Sequence, residues 1–184
     1  MDILGIHDQY SHRVRKFILV SVKNESVADD LAQETFIKIQ ENLDSVREPE
    51  RISSWIFRIA HHLCQDHFRG LETSSSQEEI HDGLVTLQEI PIQKELEQGE
   101  MSRCVQDKLS LLPEGQRSII IFADIMDFSQ QEIADILGLT VENVKVRLHR
   151  ARKKLKAILE KECTFEMDER SVLVCEPVDV KEGR

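Results

Sequence analysis

Between Val144 and Lys156 the chain reads VKVRLHRARKKLK, with seven basic side chains: Lys145, Arg147, Arg150, Arg152, Lys153, Lys154 and Lys156. Ammonium and guanidinium groups at this density neutralise phosphate oxygens, and a guanidinium that reaches into a groove donates to base edges. The rest of the protein is acidic: the 184-residue chain has a formal charge of −10. Positive charge is thus gathered into one segment, where Glu142 and Glu160 are the only acids among residues 141–160. Overall acidity does not forbid DNA binding, because the Debye length at physiological salt is about 8 Å and a polyanion senses the local patch. It does weaken binding by the free chain, which points to binding in company.

For that charge to face one way it must ride on a helix with a buried opposite side. Val144, Leu148, Ala151, Leu155 and Ile158 recur at helical spacing and form that side. Asn143, Lys145, Val146, Arg147, His149, Arg150 and Lys153 are left on the exposed or flanking faces. Upstream, Ser129 and Glu132 have the Ser-x-x-Glu spacing of a capping box. Ile133, Ala134, Ile136 and Leu137 give a short helix an apolar face, Gly138 permits a sharp turn, and Thr140 can cap the second helix. Short helix, glycine turn and longer basic helix make a helix-turn-helix pattern. A solvated basic helix with no ligand is the plainer reading; the agreement of cap, turn and stripe argues against it.

The remainder also reads as helical. Hydrophobic residues make up 40% and aromatics 5%, with only 7 Gly and 4 Pro. Alternating stretches are few, so the expected fold class is all-α. Within residues 10–43, Val14, Phe17 and Ile18 keep a helical stripe; the polar break KNES follows, and Ser26 is the expected N-cap of a helix carrying Ala28, Leu31, Ala32, Thr35, Phe36 and Ile39. Pro49 marks a loop. Ser53 or Ser54 can cap a third helix, with Trp55, Ile56, Ile59, Ala60 and Leu63 as its apolar side and Gly70 as its C-cap. The stretch LETSSSQEEIHDGLVTLQEIPIQ reads as an acidic, flexible linker. Helical periodicity resumes near Glu95, and Pro113 sits where a further helix starts.

The expected organisation is two small helical domains: residues 1–70, an acidic linker 71–98, a helix-turn-helix domain 99–160 and a tail 161–184. In the tail, ECTFEMDERSVLVCEP alternates on either side of DER, a hairpin pattern within which Cys163 and Cys175 could meet. A redox switch, half of a zinc site and ordinary packing all stay open for that pair. Residues 178–184 are expected to be disordered.

Other function classes fare poorly. No run of about 18 apolar residues suggests membrane insertion, and the start MDILGIHDQYSHRVRKF has no signal-peptide core. The four cysteines form no CxxC, so a reducing cytoplasm is expected rather than a disulfide-stapled secreted fold. His61, His62, Cys64 and His67 are close in sequence. Zinc, however, wants four convergent ligands, and Cys64 falls near the apolar side of its helix. No metal or other cofactor is expected. With no nucleophile elbow, phosphate loop or HExxH, neither enzymatic activity nor a small-molecule substrate is expected.

Three segments now combine. ADDLAQETFIKI (28–39), SWIFRIAHHLCQDHFR (54–69) and LPEGQRSIIIFADIMDFSQQEIADILGLTVENVKVRLHRARKKLK (112–156) together resemble a bacterial extracytoplasmic-function RNA polymerase sigma factor, over roughly residues 8–160. The tail resembles, more weakly, that of sigma-Z-like members. The resemblance implies two helical domains that recruit core RNA polymerase and choose promoters, without chemistry of their own. Asp30, Gln33, Glu34 and Phe36 match the motif that docks on the clamp helices of the polymerase β′ subunit, where acids and an amide beside an apolar anchor suit a basic coiled coil. Leu31, Thr35 and Phe36 could instead belong to the core.

The segment SWIFRIAHHLCQDHFR resembles the helix that faces the −10 element, with Arg58, His61, His62, Asp66 and Arg69 as its polar positions and Trp55 and Ile59 assigned to the core. The loop from Asp44 to Ser53 matches one that captures a base flipped from the non-template strand, with Arg47 and Arg51 supplying charge. The chain departs from the family at His61-His62, where Arg-Asn is commoner. Asn143, Lys145, Val146, Arg147, His149, Arg150 and Lys153 fall on the helix that reads the −35 element. Val146 stands where a small polar residue is frequent and could meet a thymine methyl. The resemblance makes the linker a strand for basic polymerase channels and allows an anti-sigma factor as a further partner. A stand-alone helix-turn-helix regulator is the competing reading; it explains 129–156 and leaves 28–69 without a role.

Overall fold

The computed structural model describes residues 2–46, 48–74, 108–167 and 173–177. Arg47, nearly all of the expected linker and residues 178–184 lie outside these. The described residues are helical apart from one two-stranded hairpin. They form two compact units, one of the described residues up to 74 with 121–145 and one of residues 108–120 with the described residues from 146 on.

The first unit begins with α1, Ile3–Val22, capped by Asp2, whose carboxylate accepts from the Leu4 N–H at 3.4 Å. Lys23 ends it in the left-handed region, φ 55°, and returns its N–H to the Leu19 carbonyl. Helix α2, Glu25–Asn42, is capped by Asn24, whose side chain accepts from the Val27 N–H at 3.1 Å. The expected cap, Ser26, is an exposed residue inside the helix. Two 3-10 turns, Leu43–Ser45 and Pro49–Arg51, lead into α3, Ile52–Ser74. The 3-10 turn at Pro49 starts that helix directly, so neither Ser53 nor Ser54 caps it. Nor does Gly70 end it: the helix continues for another turn.

Val14, Phe17 and Ile18 of α1, Ala28 and Ile39 of α2, and Ile56, Phe57 and Ala60 of α3 are fully buried. Thr35, expected as a possible core residue, is also fully buried; its hydroxyl donates to the Leu31 carbonyl at 2.7 Å, which satisfies it there. A π-helical segment, Ile121–Ile125, completes this core. Its widened turn shows in the Met126 N–H to Ile121 carbonyl bond of 3.0 Å, and the Phe128 N–H reaches the Phe122 carbonyl at the same distance. Asp127 turns the chain at φ 56°. Phe122 and Phe128 thereby both join the ring cluster of Phe17 and Phe57. The sequence reading expected an ordinary helix here. Five consecutive buried residues, Ser118 to Phe122, need more of the helix circumference than an α-helix facing one core offers.

In the second unit Leu109, Leu112, Ile119 and Ile120 are buried. Pro113 opens α4, Glu114–Ile120, and its carbonyl accepts from the N–H groups of Gln116 and Arg117 at 2.9 and 3.0 Å. The last described residues form the hairpin expected from the alternation: β1, Cys163–Met167, pairs antiparallel with β2, Leu173–Pro177. Its register sets Cys163 opposite Pro177 and Cys175 opposite Phe165, so the two cysteines are not cross-strand partners.

Candidate nucleic-acid interface

Helices α5, Gln130–Leu137, and α6, Val141–Glu162, carry the helix-turn-helix. Local chemistry fixes each joint. The Ser129 hydroxyl accepts from the Glu132 N–H at 3.3 Å, and the Glu132 carboxylate accepts from the Ser129 N–H at 2.8 Å, closing the capping box. Gly138 ends α5 at φ 64°, a conformation glycine adopts without a Cβ clash. Thr140 then accepts from the Asn143 N–H at 3.3 Å. On α6, Val144, Leu148 and Ala151 are buried, with Leu155 and Ile158 half-buried. Asn143, Lys145, Val146, Arg147, His149, Arg150 and Lys153 are all exposed. This helix therefore presents cations and one apolar side chain to solvent while a continuous stripe anchors it.

A second feature lies where the 3-10 turns meet α3. Val46, Glu48, Arg51, Ser54, Trp55, Arg58 and Asp135 line an open cleft of about 280 Å³. Arg51 donates to Glu48 at 2.9 Å, and the Arg58 guanidinium donates to the main-chain carbonyl of Asp135. Arg58, His62, Asp66 and Arg69 are exposed, and Arg69 donates to Asp66 at 2.7 Å. His61 does not join them. It is 6% exposed, with its ring 5.7 Å from Phe122 and 6.5 Å from Phe17. That corrects its assignment to the polar face. Trp55 and Ile59, expected in the core, are only half-buried, and Trp55 forms a wall of the cleft. The buried side of α3 is the series Phe57, Ala60, His61 and Cys64, at i, i+3, i+4 and i+7, rotated from the stripe through Trp55 and Ile59. That spacing is visible in the sequence and could have placed His61 inside.

On α2, Asp30, Gln33 and Glu34 are exposed, and Glu34 pairs with Lys38 at 3.5 Å. Phe36 is half-buried, with the His7 ring edge-on at 4.7 Å. Gln33 and Phe36 line a groove between α1 and α2 together with Leu4 and Ile37, which are 70% and 49% exposed. The sequence reading missed these two apolar residues, since each stands on the polar side of its helix. Among the described residues no group of three or more His, Cys, Asp or Glu side chains is placed to hold a metal ion, and no helix is long and apolar enough to cross a membrane. Cys64 is buried.

A helix-turn-helix with an exposed basic second helix, in a chain whose other helices present an acidic, partly apolar face, defines a DNA-binding protein built to work with a partner. The family models agree: residues 6–73 match Sigma-70 region 2 and residues 102–155 match Sigma-70 region 4. The chain is 31% identical to RNA polymerase sigma factor SigZ of Bacillus subtilis, covering 91% of this chain and 93% of SigZ. It is 30% identical to the ECF RNA polymerase sigma factor SigW of the same organism, over 82% of this chain and 85% of that one. Among solved structures, CnrH in complex with the cytosolic domain of CnrY superposes with a TM-score of 0.64 at 27% identity, covering 86% of this chain and 88% of CnrH. The chain belongs to the extracytoplasmic-function RNA polymerase sigma factors, and it directs RNA polymerase to promoters. The stand-alone regulator gives way to this, because region 2 now accounts for residues 28–69.

Proposed function

We infer that the two matched regions divide promoter recognition between them. The exposed face of α6 reads the −35 duplex through Asn143, Lys145, Val146, Arg147, His149, Arg150 and Lys153. The cleft and the exposed face of α3 hold the −10 strand through Arg51, Arg58, His62, Asp66 and Arg69, with Arg47 of the same loop. Asp30, Gln33, Glu34 and Phe36 dock on the polymerase β′ clamp helices. This division follows the expected boundaries, residues 1–70 for polymerase and −10 element and 99–160 for the −35 element. The factor works in the cytoplasm beside polymerase and performs no chemistry itself. An anti-sigma factor is a further partner; the similar protein CnrH is found in complex with another protein, the cytosolic domain of CnrY.

The observation that carries the reading is the helix face: all seven −35 residues are exposed on α6 while Val144, Leu148 and Ala151 anchor its other side. Reconstitution with core polymerase on a genomic promoter library tests it. The expected result is RNA starting at a defined set of promoters that share two spaced elements. Transcription starts that the chain does not redirect would overturn it.

A further inference from the structure

The register of the tail hairpin sorts its residues by chemistry. In β1 and β2 the pairs Cys163–Pro177, Phe165–Cys175 and Met167–Leu173 alternate with Thr164–Glu176 and Glu166–Val174. Alternate positions along paired strands belong to opposite faces. One face is therefore assigned Cys163, Phe165, Met167, Leu173, Cys175 and Pro177, and the other both glutamates. The side-chain donors of the first face are all sulfur, whereas the carboxylates fall on the second. The two cysteines are diagonal neighbours, because Cys175 pairs with the residue two beyond Cys163. They stand where the hairpin leaves α6, since Cys163 directly follows Glu162.

Diagonal spacing decides what two thiols can do together. Diagonal positions of antiparallel strands lie about 7–8 Å apart, with the Cβ atoms somewhat closer. A disulfide needs Cα atoms within about 7 Å and an S–S bond of about 2 Å, so a diagonal pair closes one only by moving backbone. A metal ion lengthens the bridge: two metal–sulfur bonds of about 2.3 Å hold the sulfurs up to about 4.6 Å apart. Sulfur donors select Cu(I) and zinc. Zinc wants four ligands, and Met167 cannot join Cys163 on one ion, because four strand residues separate them by about 13 Å. Cu(I), a closed-shell ion, is content with two thiolates in line.

We propose that Cys163 and Cys175 form a two-thiolate site for Cu(I) at the foot of α6. Binding breaks both S–H bonds and forms two Cu–S bonds. The protons leave to solvent, copper stays Cu(I), and the bis-thiolate product carries a single negative charge, so no oxidant or reductant takes part. The loaded ion ties the returning strand to the end of α6 and stabilises the hairpin by mass action.

The test uses the full chain, reduced and kept free of oxygen, as wild type, Cys163→Ser, Cys175→Ser and Cys104→Ser, each checked for wild-type helix content by circular dichroism. Cu(I) is added as its acetonitrile complex in competition with a chromophoric chelator. The thiols are then alkylated with iodoacetamide and mapped by peptide mass spectrometry. The expected result is about one Cu(I) per wild-type chain, with Cys163 and Cys175 shielded from alkylation together. Either serine variant in the hairpin should lose the ion, and Cys104→Ser should keep it. Copper retained by Cys163→Ser or Cys175→Ser, or lost with Cys104→Ser, overturns the site. So does zinc bound by pairs of chains in preference to copper, which marks a shared four-thiolate centre. A Cys163–Cys175 disulfide formed in full with glutathione disulfide, without copper uptake by the reduced chain, overturns it in favour of a redox pair.

Discussion

The rings of Phe17 and Phe122 stack with centroids 4.6 Å apart and planes 16° from parallel, although one belongs to the region 2 match and the other to the region 4 match. Both side chains are fully buried. Stacked aromatic pairs add to what their burial already contributes. Phe122→Ala leaves a cavity against Phe17 and is expected to cost about 3–5 kcal/mol. Urea unfolding followed by circular dichroism measures it; a cost below about 1 kcal/mol would mean that the cluster does not hold the first unit together.

The capping box predicts a smaller, local loss. Ser129→Ala removes the acceptor of the Glu132 N–H and should cost about 1 kcal/mol. Gly138→Ala should cost a similar amount for another reason, since φ 64° places a Cβ against the following carbonyl. Thermal melts of the single variants and their combination check both, and the costs should add, because the caps sit at opposite ends of α5.

Arg150→Ala tests the groove-reading face. The side chain is exposed, so the melting temperature should not move. Transcription that depends on the −35 element should fall by roughly tenfold, in line with about 1–3 kcal/mol for one arginine contact. If the contact is to phosphate, a salt titration of DNA binding by the holoenzyme will lose about one unit of slope. Wild-type promoter output would refute the assignment.

Glu34→Lys tests the docking face. Among the described residues it breaks the Lys38 pair at 3.5 Å, a loss of about 0.3–0.5 kcal/mol for an exposed i, i+4 pair. Against a basic coiled coil it replaces attraction with repulsion, so affinity for core polymerase should fall at least about tenfold. Pull-down by core polymerase together with a thermal melt separates the two effects.

The Arg15–Asp29 pair should matter little. Arg15 donates to Asp29 at 2.6 Å, and this hydrogen bond raises the guanidinium pKa above its ordinary value, against a smaller opposing effect of burial. A raised folded-state pKa contributes stability below the unfolded value, lost only as pH rises through the raised one, far above any working range. Salt, and not alkali, is therefore the relevant variable. Both side chains are about half exposed, and a double-mutant cycle should return less than about 1 kcal/mol, smaller still at high salt.

What residues within four positions of one another decide was present in the sequence. Ser129 with Glu132, Gly138, Thr140 with Asn143, and the Val144–Leu148–Ala151 stripe behave as their spacing requires, because a cap or a helix face is a property of neighbours. The same locality explains where the reading slipped. Asn24 and Ser26 are both good caps, and only the turn at Lys23 picks the first. Gly70 is compatible with ending a helix but does not compel it. Side chains chosen by distant partners could not be read from spacing alone. Tertiary packing put His61 against Phe17 and Phe122, drew Trp55 to the rim of the cleft, widened the helix at Ile121–Ile125 and spent Arg13 and Arg58 on carbonyls of a remote segment. A sequence ranks each residue's options by its chemistry, but which partner is within reach depends on how helices far apart in the chain come together.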